Sequence, residues 1–160
     1  MRALDRQAFV TDDLWRLHED GAPPQANDVF RAPSLADALE KISAGPVGAW
    51  LPPDQSVDAL APFLQRLSLI CIEFPKFRDG RGFTAARRLR QSHGFTGDIR
   101  AVGRVLPDQF QALIACGFSS VAPPENHPPD AWRPAAAAEA ARPFLLRMIG
   151  RAMTTKDAAR

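Results

Sequence analysis

Residues 73–90, EFPKFRDGRGFTAARRLR, set Lys76, Arg78 and Arg81 around Gly80 and Gly82, between an apolar run and an arginine-rich helical pattern. Glycine lets backbone N–H groups approach an anion, a helix start adds partial positive charge, and arginine offers forked donors. The chemistry this points to is binding of a sulfate, phosphate or carboxylate. The same residues also have a plainer use, in which Asp79 caps the helix, the glycines permit the turn and the arginines face water. A second group, Gly103, Arg104, Asp108 and Gln109, follows the next apolar run. If both runs are parallel strands of one sheet, the two groups share the carboxyl edge, where ligands of such sheets bind. The binding set read from the residues is therefore Lys76, Arg78, Asp79, Gly80, Arg81, Gly82, Gly103, Arg104, Asp108 and Gln109.

Other chemistries find less support. GRGFTA (80–85) fits the G-x-G-x-x-A dinucleotide fingerprint, but PKFRD separates it from the strand that should abut it. The acidic residue expected at the end of the next strand is also absent, with Gly103-Arg104 in its place, so the cofactor is left unassigned and Arg104 on a 2′-phosphate gives NADP only a weak case. His18, His93 and His127 have no metal-ligand spacing with one another or with Cys71 and Cys116, and no metal site is expected. Two cysteines cannot supply the four thiolates of an iron–sulfur cluster. No nucleophile elbow or P-loop is present, and Asp79 and Asp108 are each explained by a helix start as well as by acid–base work, so no catalytic residue is assigned. Arg87, Arg88 and Arg90 lie beyond the first helical turn and read as a solvated face.

The elements that must hold these loops follow from periodicity. The 160 residues, 46% hydrophobic and 24% charged, suit one globular domain over 1–160. Short strands are expected at DVFRAP (28–33), PVGAWLP (46–52), LSLICIEF (67–74), DIRAVG (98–103) and SSVAP (119–123). Helical patterns separate them: SLADALEKISAG with Ser34 as cap, DQSVDALAPFLQRL kinked at Pro62, the arginine-rich segment stopped by Gly94, and LPDQFQALIACGF stopped by Gly117. Alternating strands and helices predict an α/β fold with about five strands in a mainly parallel sheet and helices on both faces; a partial β/α barrel is the alternative. Residues 21–27 read as a loop, 122–134 as a Pro-rich connection and 153–160 as a flexible tail; the segment before that tail is helix-prone and interrupted by Pro143. A net charge of +2 gives no reason to expect nucleic acid. No apolar run reaches the roughly 20 residues of a membrane span, no secretory signal is visible, and a cytoplasmic protein with reduced thiols is expected.

IEFPKFRDGRGFTAARRLR followed by GFTGDIRAVGRVLPDQFQALIACGF closely resembles a family of small bacterial proteins, the domain of unknown function 934 family. The likeness covers residues 69–118, with Phe74 to Gly82, Arg100, Ala101, Gly103, Asp108 and Gln109 matching the family pattern. It adds Arg100 to the candidate binding set. The chain departs at Arg104 and Pro107, where that pattern has Asp and Arg. Members are commonly encoded beside assimilatory sulfite reductase and phosphoadenylyl-sulfate reductase and labelled oxidoreductases of sulfite reduction. The resemblance implies an accessory protein of that pathway linked to an oxidoreductase, to which the loop residues add binding of an anionic small molecule. The alternative is a non-catalytic module that docks on a sulfite or adenylyl-sulfate reductase. Six-electron reduction of sulfite uses sirohaem and an iron–sulfur cluster, and this chain is short for the one and lacks thiolates for the other, so neither haem nor cluster is expected.

Overall fold

The structure, a computed structural model, describes residues 2–11 and 13–138. Three two-residue strands open the chain: β1 (Ala3–Leu4), β2 (Val10–Thr11) and β3 (Arg16–Leu17). Then come β4 (Asp28–Arg31), α1 (Ala32–Lys41), β5 (Val47–Leu51), a 3-10 helix (Val57–Arg66) and β6 (Leu67–Phe74). They are followed by α2 (Arg81–Gln91), β7 (Asp98–Gly103), α3 (Phe110–Ala115) and β8 (Ser120–Val121). All eight strands form one sheet in the order β2-β1-β8-β7-β6-β5-β4-β3, parallel from β3 through β8 and antiparallel at β1 and β2.

The five strands read from the apolar runs are β4 to β8, and the mainly parallel α/β sheet is present. Of the two expected arrangements, the partial barrel is the one adopted, and the sheet curls into a half-barrel. The reason lies in the order. Each of β4 to β8 is laid beside its predecessor in the same direction, so right-handed crossovers deliver every helix to one face instead of both. That face carries the main core, where Leu35 and Leu39 of α1, Leu60 of the 3-10 helix, Leu89 of α2 and Leu113 of α3 pack on Phe30, Ala49, Ile70, Ile72 and Ile99. The inner face carries a smaller cluster of Val29, Leu69, Cys71 and Val102, with Trp15, Trp50 and Ala122 against it.

Sequence reasoning assigned no strands before residue 28, because a two-residue strand carries no period to detect. Yet β2 and β3 are the two edges of the sheet, and only five chain steps separate Thr11 from Arg16. At ~3.6 Å per step those edges stand at most ~18 Å apart, so the N-terminal segment bridges the open side of the curl. Trp15 enters the inner face there. A Cβ on Gly48 would lie 3.2 Å from the Trp15 ring and 2.9 Å from Val29, so glycine leaves the space the indole needs. On the far edge Asp28, buried, accepts from Arg16 Nε at 2.5 Å, His18 Nδ1 at 3.2 Å and the Gln25 N–H at 2.9 Å, pinning β3 and the 21–27 loop to β4.

Local starts and stops depart from expectation in small ways. Helix α1 begins two residues before Ser34, because Pro33 is tolerated in a first turn; the Ser34 hydroxyl donates back to the Arg31 carbonyl instead of capping. Around Pro62 the chain winds as a 3-10 helix, capped by Ser56, which accepts from the Asp58 N–H. The Pro-rich 122–134 connection has a 3-10 turn at Pro129–Ala131 and is anchored by Trp132, which is fully buried, packs edge-on against Phe110 and donates from Nε1 to the His127 carbonyl. The chain is helical at 133–138; the rest of the helix-prone segment and the 153–160 tail lie outside the described residues. Trp132→Ala is expected to lower unfolding free energy by about 3–5 kcal/mol, read from the midpoint of urea unfolding, since it empties a ring-sized space.

Candidate functional site

The loops after β6 and β7 meet at the carboxyl edge as the sequence required. The Arg104 N–H donates to the Phe74 carbonyl at 2.8 Å, and Gln109 Nε2 donates to the Phe77 carbonyl at 2.6 Å while its Oε1 accepts from the Leu106 N–H. Gln109 is thus a clasp between the loops. Lys76, Arg78, Arg104 and Asp108 are exposed around it, with the Arg78 guanidinium over the half-exposed Phe77 ring. Among the described residues Lys76, Arg78 and Arg104 form no ion pair.

Asp79 and Arg81 are already joined. Both Asp79 oxygens take the Arg81 guanidinium, and Oδ1 also accepts the Arg81 N–H at 3.1 Å. Asp79 therefore holds the first turn of α2, but from one residue before Gly80, which occupies the capping position without any side chain to offer. The Arg81 side-chain hydrogen bonds push the Asp79 carboxyl down to about 2. Arg81 keeps Nη1 free, but its charge is already met by the Asp79 carboxylate, so it adds less to the binding of an anion than an unpaired cation would.

The glycines divide by role. A Cβ at Gly80 would meet nothing within 4 Å, and its φ is an ordinary −77°. At Gly82 a Cβ would lie 2.5–2.9 Å from the buried Phe74 ring, and at Gly103, where φ is +91°, 2.6 Å from the Phe74 carbonyl oxygen. Phe74 is itself wedged against Phe83 and Phe118. Gly82 and Gly103 are therefore required by ring and backbone packing at the end of β6, which brings α2 close to the sheet.

Arg100 stands apart from these loops. It projects from β7 into a buried cluster on the inner face, donating from Nη1 to Asp13 at 2.6 Å, from Nη2 to Asp98 at 2.9 Å and from Nε to Ser120 Oγ at 2.9 Å. The Arg100 and Asp13 side chains are only 5% and 2% exposed. Its neighbour across β6, Cys71, is fully buried, and burial pushes its thiol up to about 12, which leaves it protonated and unreactive at neutral pH.

Sequence reasoning missed two features. On the inner face near the carboxyl rim, Trp50 Nε1 donates to Glu73 Oε2 at 2.8 Å, with Arg31 over the indole. Glu73 directly precedes the FPKFRDGRG stretch and was legible as part of it. Arg90 is the second: instead of facing water it bonds to the loops at 95–97 and 117–119. Arg88 does face water, paired with the exposed Asp58, and Arg87 donates to Cys116 Sγ at 3.1 Å. Among the described residues no helix is long and apolar enough to cross a membrane.

A family model described as "Bacterial protein of unknown function (DUF934)" matches residues 48–142, from the inner-face Gly48 past both strand-end loops. The chain belongs to that family. No curated protein matches it.

Three outcomes are expected here. The Asp79 carboxyl, followed by NMR, should titrate near 2 and move up toward the ordinary value of about 3.9 in Arg81→Gln. Because the folded value is depressed, its contribution to stability is present above about pH 4 and lost as pH falls through about 2. Gly82→Ala should cost about 1–3 kcal/mol in urea unfolding by overpacking the Phe74 ring. Asp13→Ala should cost about 3 kcal/mol, with Arg100→Met in the same chain recovering part of it, because the loss comes from the charge left behind.

Proposed function

We propose that this protein is an accessory protein of assimilatory sulfate and sulfite reduction that binds an anionic small molecule where the loops after β6 and β7 meet. The pathway comes from the family resemblance of the signature. The supporting observation for the ligand is the clasped pair of loops, which gathers Lys76, Arg78 and Arg104 on one rim with no ion-pair partner among the described residues. Such a rim suits an oxyanion, which would accept from an ammonium and two guanidinium forks in place of the missing carboxylates. The Asp79–Arg81 pair and the glycines belong to the scaffold of this site more than to its donors, and no residue is assigned a chemical step.

A second reading takes the same rim as a protein contact. Phe77 is 46% exposed with Arg78 stacked on it, and an aromatic beside an arginine is the composition of an interface anchor. In that reading the module docks on a sulfite or adenylyl-sulfate reductase.

Calorimetric titration with sulfite, sulfate and phosphate at fixed ionic strength tests both. For the best anion, Lys76→Ala and Arg104→Gln should each weaken binding by about 1.5–3 kcal/mol, the scale of a charged hydrogen bond. Arg81→Gln and Arg88→Gln should change it by only a few tenths, as screened long-range charge does. Equal losses from all four would mean diffuse attraction and remove the site. Silence toward every anion, with Phe77→Ala abolishing co-purification of a reductase, would establish the docking reading instead.

A further inference from the structure

At the opposite, amino edge of the sheet lies a cavity of about 720 Å³ that no part of the preceding proposal uses. Its walls are the first turn of the chain at Asp5–Arg6, Thr96 to Asp98 at the start of β7, and Ser119–Ser120 at the start of β8. Its volume falls within the roughly 300–1,000 Å³ of small-molecule sites.

Arg90 gives this cavity its character. Of the described arginines only Arg90 and Arg100 are not exposed. Arg100 is matched by two carboxylates, but Arg90 is held by neutral acceptors alone. Its Nε donates to the Gly117 carbonyl at 2.9 Å, Nη1 to the carbonyls of Phe95 at 2.6 Å and Gly97 at 2.8 Å, and Nη2 to Ser119 Oγ at 2.7 Å. Gly117, at φ +106°, makes room for it, since a Cβ there would lie 2.6 Å from Arg90 Cγ. The guanidinium is thus fixed in orientation, with four of its five N–H groups used and one Nη2 N–H left over. Arg6, exposed and without an ion pair among the described residues, adds a second positive charge to the same wall. Burial first and then repulsion from Arg6 lower the Arg90 pKa, and the Asp98 carboxylate offsets them only in part. Three arginines and two aspartates line the cavity, and Asp98, oriented by Arg100 and Ser120 with acceptor capacity left on its carboxylate, shares the lining with Thr11 and Thr96.

We propose that this amino-edge cavity is a ligand site for a small phosphate ester, its phosphate against Arg6 and Arg90 and its hydroxyl groups against Asp98 and Thr96. A preorganised guanidinium and a mobile one together suit a tetrahedral dianion. The carboxylate and threonine hydroxyls suit a polyhydroxylated remainder, which separates an ester from free phosphate. The site stands independently of the carboxyl rim, being built from other residues on the far edge of the same strands.

Titration of the full chain with ribose 5-phosphate, inorganic phosphate and ribose, by calorimetry and by two-dimensional amide NMR, tests it. Ribose 5-phosphate should bind saturably and at least fivefold more tightly than phosphate, with ribose silent. Its shifts should centre on the amides of Gly97, Asp98 and Ser120. Arg6→Gln should weaken binding tenfold or more and Thr96→Val several-fold, neither being a residue on which the fold depends, while Lys76→Ala leaves it unchanged. Arg90→Lys is the less informative variant because its three carbonyl contacts support two loops. Shifts confined to 76–82 and 103–109 would overturn this site while supporting the rim, and absence of saturable binding by either phosphate compound would overturn it outright. Equal tightness for phosphate and ester would overturn the assignment of a phosphate ester.

Discussion

The Asp13–Arg100 ion pair is the contact on which the arrangement of this molecule turns. A guanidinium in the middle of a parallel sheet is costly to bury unless its charge is met and its donors are used. Here Asp98 and Ser120 supply part of that from the same sheet, and Asp13 supplies the rest from 87 residues away. In doing so Asp13 fixes the segment between the two sheet edges across the inner face, and Trp15 follows it onto Gly48 and the inner-face cluster. A half-barrel would otherwise leave an apolar concavity open to water. The pair converts that concavity into a second, small core.

The other organising constraint is the Phe74 ring at the end of β6. Gly82 leaves space for the ring beneath helix α2, and Gly103, at the end of β7, leaves space for the Phe74 backbone carbonyl. With the Arg104 N–H on the Phe74 carbonyl and Gln109 on Phe77, the ring sets the spacing of the two strand-end loops. The family signature therefore encodes first a rigid junction and only on its surface a set of cations. Rigidity matters for whatever the rim meets, because donors on a fixed junction lose little freedom on binding.

Much of this was legible in the chain. LSLICIEF could only be a strand covered on both faces, and Gly117 marked a helix end, whereas Pro62, read as a kink, sits inside a continuous 3-10 helix. The meeting of the β6 and β7 loops followed from two adjacent parallel strands. What was not legible has a common cause, which is partners distant in sequence. Asp13 gives no local sign that its partner is Arg100. Helical periodicity places Arg90 on a face but cannot say that the 95–97 and 117–119 loops lie over it. Gly80 and Gly82 look equivalent in GRG, and only the Phe74 ring distinguishes them. Between a two-faced sheet and a partial barrel, the deciding fact was strand order, which periodicity does not contain.

The position of β1 has a consequence for how the molecule is made. Its neighbours are β2, its own hairpin partner, and β8, which begins at Ser120. At roughly 5–20 residues per second of synthesis, the first strand waits on the order of 6–23 seconds before its parallel-sheet neighbour exists. During that interval β3 to β7 can pair in the order they emerge, each with the strand just made, while the β1–β2 hairpin has no sheet edge to join. The strand of this sheet that is synthesised first is thus the last to be placed, and its arrival seals the seam of a sheet assembled from the other direction. A nascent chain built this way depends on keeping Phe9, Val10 and Leu14, exposed even in the finished fold, from finding another partner first.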